Sequence, residues 1–144
     1  TEPELKQKKQ VFEDSLNSTK AAIEEGIVPG GGVALLRAIK SIDKLKLEGD
    51  ELVGAKIVIT ACEAPIRQII QNTGHDGSVV LADILQAKPS FGFNAMSEKI
   101  EDMMAAGVVD PAKIVKNCIM HAVSAAGIVI ISEALIGEAP EDKE

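Results

Sequence analysis

The chain has 144 residues and a mass of 15.2 kDa, the size of one domain or of a piece of a larger one. Apolar residues make up 46%, enough to offset chain entropy and to exclude disorder throughout. Aromatics are only 2% and the net charge is −7, which exclude an aromatic platform for stacked bases and argue against a nucleic-acid backbone as partner.

The first predicted element is a helix over 4–25. Leu5, Phe12, Leu16, Thr19 and Ile23 form one stripe, while Lys6, Lys8, Lys9, Glu13, Asp14, Lys20 and Glu24 fill the rest. Such a polar helix leans on a neighbour instead of sitting in a core. Gly26 is its stop and a candidate hinge. Pro29-Gly30-Gly31-Gly32 is a sharp break, after which 33–45 reads as a second helix. A third, strongly apolar helix spans 51–72, with a kink expected at Pro65. Asp76-Gly77-Ser78 starts a short fourth helix over 79–85.

The segment 89–94 holds Phe91 and Phe93 around Gly92 and reads as a short strand or hairpin edge. A short helix is expected over 97–105, closed by Gly107. Asp110-Pro111 reads as an N-cap followed by N1, opening a fifth helix over 111–133. Its Ala122, Ala125, Ala126 and Gly127 allow close backbone approach and make it the expected central core helix. A final strand is expected at 134–137, and 138–144 is an acidic tail expected to fray.

Cys62 and Cys118 read as two small core residues, since no disulfide framework or CxxC pair is present. His75 reads as a loop residue and His121 as a core-edge residue; no metal-ligand spacing occurs, so no metal ligand is expected within the chain. No secretory signal is visible at 1–10, and the apolar run 122–131, interrupted by Ser124 and Gly127, is too short to span a bilayer. The chain lacks an initiator Met and opens on a helical turn, so a longer parent polypeptide is expected.

Four features carry possible chemistry. Gly30-Gly31-Gly32 opens a helix whose amides attract anions, though on the motif alone a tight helix-to-helix turn is the favoured reading. It matches neither GxxxxGK[ST] nor GxGxxG. Asp110 serves as a cap or, with its other acceptor sites, accepts from a ribose hydroxyl. Asp14 is a solvated charge or a carboxylate on a mobile arm, with Glu13 beside it. Asn94 is a turn residue bonded locally or a purine contact.

These features occur together in a distinctive order. Ala21-Ala22-Ile23-Glu24-Glu25-Gly26-Ile27-Val28-Pro29-Gly30-Gly31-Gly32-Val33-Ala34-Leu35 resembles the signature of the group I (GroEL-type) chaperonins. So do Glu63-Ala64-Pro65-Ile66-Arg67-Gln68-Ile69, Gly92-Phe93-Asn94-Ala95 and Val108-Val109-Asp110-Pro111-Ala112-Lys113. The resemblance covers nearly the whole chain. It implies an all-α fold: the helical bundle of a chaperonin equatorial domain, with a short β-hairpin or edge strands and one long intermediate-domain helix. Residues 1–25 would be that helix, 26–137 the C-terminal half of the equatorial domain, and 138–144 a flexible tail.

The resemblance further implies ATP as cofactor, with Gly31 against the nucleotide, Asn94, Ala95 and Met96 walling adenine and ribose, Asp110 on the ribose and Asp14 as the catalytic acid. Mg²⁺ ligands and the phosphate loop would come from an N-terminal part, because no Gly-Asp-Gly-Thr-Thr sequence occurs here. Met96 stands where many members have a second Ala, and the Gly-Met-rich tail of bacterial members is absent. The implied partners are identical subunits in a ring, a co-chaperonin lid and unfolded polypeptides, with no nucleic acid or membrane. The implied location is a bacterial cytoplasm or an organelle matrix. The rival readings are a helical oligomerisation module without nucleotide, a stand-alone nucleotide enzyme and a group II chaperonin.

Overall fold

A computed structural model describes residues 1–134, 136 and 137. Five helices and four short strands follow in the order α1 (Glu2–Glu25), β1 (Ile27–Pro29), α2 (Val33–Ile42), α3 (Gly49–Asn72), α4 (Gly77–Gln86), β2 (Phe91–Asn94), β3 (Lys99–Asp102), β4 (Val109–Pro111) and α5 (Ala112–Ile131). The helical fold expected from the sequence is present, and its short strands form two antiparallel pairs. β1 pairs with β4, placing Val28 opposite Asp110, and β2 pairs with β3, placing Phe93 opposite Ile100.

The core lies where α2, α3, α4 and the β2–β3 hairpin meet. Val33, Leu36, Ile66, Ile70, Leu81, Ile84, Phe93 and Met103 form one buried cluster. Two glycines permit this packing. Gly32 sits at φ +80°, and a Cβ there would lie 2.9 Å from the backbone nitrogen of Ile66. A Cβ on Gly92 would run into Val33 and Met103. Arg37 of α2 then ties the end of α4 to the hairpin. Its guanidinium donates to the carbonyls of Ile84 (2.8 Å), Ala87 (3.2 Å) and Lys88 (2.8 Å), at and just beyond the end of α4.

Several expectations need correction. The segment 97–105 is not a helix: 99–102 is strand β3, because Ile100 and Asp102 pair back onto Phe93 and Phe91. Asp102 then closes the next turn, accepting from Ser90 Oγ at 2.8 Å and from the amides of Met104 and Ala105. Asp110 is not the N-cap of α5. Pairing with β1 keeps 109–111 extended, so Pro111 takes the cap position and α5 starts at Ala112. Among the described residues α5 is not the core helix either: none of its residues is buried, and Ile131 is 83% exposed. Cys118 and His121, expected in or beside the core, are exposed with it, whereas Cys62 is buried.

The apolar run 122–131 lies within this helix, which as a whole is long and apolar enough, by length and composition, to cross a membrane. No strand forms at Ala134, Ile136 or Gly137; Leu135 and the tail 138–144 lie outside the described residues.

α1 leans on α5 and β4, as expected, but not through its apolar stripe. Phe12 is 76% exposed, and the half-buried residues are Ser18, Ala21 and Ala22. Their small side chains, three and four apart, let the helices approach. Lys113 pairs with Glu24 and Lys116 with Glu25 at the junction. The Gly26 carbonyl accepts from the Ala112 amide at 3.0 Å.

Candidate nucleotide site

The site is built from the turn that precedes α2. The β1–β4 pair delivers the chain to Gly30, whose amide donates to the Val108 carbonyl at 2.9 Å. Gly31 and Gly32 both take positive φ, 66° and 80°, before α2 begins. This places the N-terminus of α2 at the edge of a cleft, where the helix dipole favours negative charge.

The cleft has a volume of about 520 Å³. Gly31 and Asp110 both line it, with Ser18 of α1, Pro65 and Ile69 of α3, and Ile114 and Cys118 of α5. The sequence therefore named two residues that the fold brings together across 79 positions, 110 − 31. Burial pushes the Asp110 carboxyl up from its ordinary range, and among the described residues no hydrogen bond or cation acts against it. A half-buried carboxylate held without a partner is poised to accept from a ligand hydroxyl.

Asp14 is exposed on α1, one turn before Ser18 and on the same face, just outside the cleft. Asn94, at the end of β2, is half-buried, and Ala95 and Met96 form the exposed turn that follows. None of these three lines the cleft, but the hairpin borders it: a Cβ on Gly31 would lie 3.6 Å from the Phe93 carbonyl. Asn94 is bonded locally, its Nδ2 donating to Glu101 at 2.6 Å and its Oδ1 accepting from the Met96 amide at 3.0 Å.

Ser18, Ile69, Ile114 and Cys118 escaped the sequence reading. Only the spacing of Ser18 from Asp14, and of Ile114 from Asp110, four positions each, hinted at them.

The donor set fits part of a nucleotide. Glycine amides suit an anionic group, the free carboxylate suits a sugar hydroxyl, and Pro65, Ile69 and Ile114 provide apolar walls. No Lys or Arg lines the cleft to balance a polyphosphate, and no cluster of three or more metal-ligating side chains occurs among the described residues.

Comparison with known proteins identifies the family. The TCP-1/cpn60 chaperonin family matches residues 1–140. Chaperonin GroEL 3 of Protochlamydia amoebophila (strain UWE25) is 67% identical over 144 residues, covering 100% of this chain and 27% of that protein. The chain thus spans about a quarter of the length of that relative. A crystal structure of a group III chaperonin in the open state superposes with a TM-score of 0.73 at 28% identity, over 81% of this chain and 25% of the other. The family match and the fold agree: the chain belongs to the TCP-1/cpn60 chaperonin family.

Proposed function

We propose that this chain works as the C-terminal part of an ATP-dependent, GroEL-type chaperonin subunit that assists protein folding within a ring. One observation carries the reading: Gly31 and the unpartnered Asp110 face the same cleft in a chain of this family. Gly31 approaches the nucleotide through its backbone, Asp110 accepts from the ribose, and the turn 94–96 walls the base. The bound nucleotide supplies the energy of phosphoanhydride hydrolysis, with Mg²⁺ held by groups outside this chain. Residues 1–25 act as an intermediate-domain helix and 26–137 as half of an equatorial domain.

Asp14 is the residue that orients and deprotonates the attacking water. It stands one turn outside the cleft, so rotation at Gly26, which sits at φ +81° with open space around it, is what brings the carboxylate inward. The α1–α5 ion pairs resist that rotation. Apolar α5, with no buried residue, is read as a surface covered by other parts of the subunit or ring. A co-chaperonin lid and unfolded polypeptides are the further partners, and a bacterial cytoplasm or organelle matrix is the proposed location.

The test uses the complete subunit. D14A is expected to bind ATP and lose hydrolysis, and D110A to bind more weakly. Turnover by D14A at the wild-type rate would refute the assignment. The isolated chain is expected to show no useful turnover and to self-associate through α5.

A further inference from the structure

The hydrogen bonds of the β2–β3 turn converge on one carboxylate. Glu101 Oε1 accepts from Asn94 Nδ2 at 2.6 Å and from Ser97 Oγ at 3.0 Å. Glu101 stands opposite Gly92 in the ladder, two positions from the residue that faces Asn94, so the two side chains meet diagonally on one face of the ribbon.

An ionised carboxylate only accepts. Glu101 therefore compels the Asn94 amide to turn its NH₂ inward, which leaves the oxygen for the Met96 amide. A flipped amide would set oxygen against carboxylate and lose both bonds. An amide has two N–H donors and two acceptor lone pairs. One of each is used here, so one donor and one acceptor remain. For a base that turns its N7 edge to Asn94, that combination matches adenine, which presents N6–H₂ beside N7, and mismatches guanine, which presents the two acceptors O6 and N7 there.

We propose that Glu101 is a positioning residue for base selectivity, holding Asn94 in the orientation that favours an adenine over a guanine nucleotide. This rests on the reading that the turn 94–96 walls the base.

The experiment measures ATP and GTP binding by calorimetry, and KM and kcat for ATP, in the complete subunit. E101A is expected to lower the ATP-over-GTP preference about tenfold, the scale of one base-edge contact, and to raise KM for ATP while leaving kcat at saturation unchanged. E101Q, whose amide oxygen still accepts from Asn94, is expected to restore the preference. S97A removes only the second bond to Glu101 and is expected to keep it. If E101A fails to fold, E101D serves instead: it retains the charge but withdraws it by one methylene, and the same loss of preference is expected. N94A separates the two readings. If N94A abolishes the preference while E101A and E101D retain it, the role of Glu101 is overturned and the wall stands. If N94A itself retains the preference, the wall reading falls and the role of Glu101 with it.

Discussion

Replacing Gly32 by Ala tests the packing of the cleft against the core. Two costs add. The residue sits at φ +80°, where an L side chain crowds the following carbonyl, a penalty of about 1–2 kcal/mol. The new Cβ would also lie 2.9 Å from the Ile66 nitrogen and 3.2 Å from its Cα, backbone atoms of α3 that cannot swing aside. Ile66 is fully buried, so the strain passes into the core at about 1–3 kcal/mol. G32A is thus expected to cost roughly 2–5 kcal/mol in total. Gly74 supplies the control, because it follows the C-cap of α3 at a similar positive φ, +85°, with nothing within 4 Å of a Cβ. G74A should show the backbone cost alone. Urea unfolding of both variants, with matched m values, reads the difference. Equal midpoints for G32A and G74A would refute the close approach of α2 to α3.

Asp110 carries a carboxyl raised by burial, so its folded state holds the proton more tightly than the unfolded chain. The stability this contributes is present below about pH 4, the unfolded value, and is lost as pH rises through the folded value. D110N should therefore flatten the pH dependence of stability just above pH 4 and leave the fold no less stable at neutral pH, while weakening nucleotide binding by the complete subunit. Greater stability loss at pH 7 than at pH 4 would contradict this. The cysteines should differ in reactivity: in the isolated chain, Ellman's reagent should modify exposed Cys118 quickly and Cys62, buried with its thiol pushed up, only on adding denaturant.

Most helices were legible because their determinants are local. Gly26 and Gly74 end α1 and α3, and Asp76 caps α4 by accepting from the Ser78 amide at 2.7 Å. What was misread depended on distant partners. Ile100, Met103 and Met104 have helical spacing, but pairing with Phe91 and Phe93 makes 99–102 a strand. Asp110-Pro111 is a sound cap signal until β1 holds it extended. The apolar composition of α5 suggested burial, yet burial requires neighbours, and the described residues supply α5 with few.

The cleft divided in the same way. Gly31 and Asp110 were recognisable because each lies within a distinctive local motif, whereas Cys118 and Ile69 reach the cleft only because the fold brings α5 and α3 to its walls. The small face of α1 went unnoticed because Ser18, Ala21 and Ala22 carry no apolar signal comparable to Phe12.

The β1–β4 ribbon bears on the order in which the chain folds. Its three residue pairs join segments separated by 30–108, and closing a loop of that length costs roughly 4 kcal/mol of chain entropy beyond a constant. Three pairs cannot repay this from an unstructured chain. The intervening α2, α3, α4 and hairpin must first condense around Ile66 and Phe93 and shorten the gap. The ribbon then closes as a late seam, and Gly31 and Asp110 come face to face only in molecules whose core is already complete.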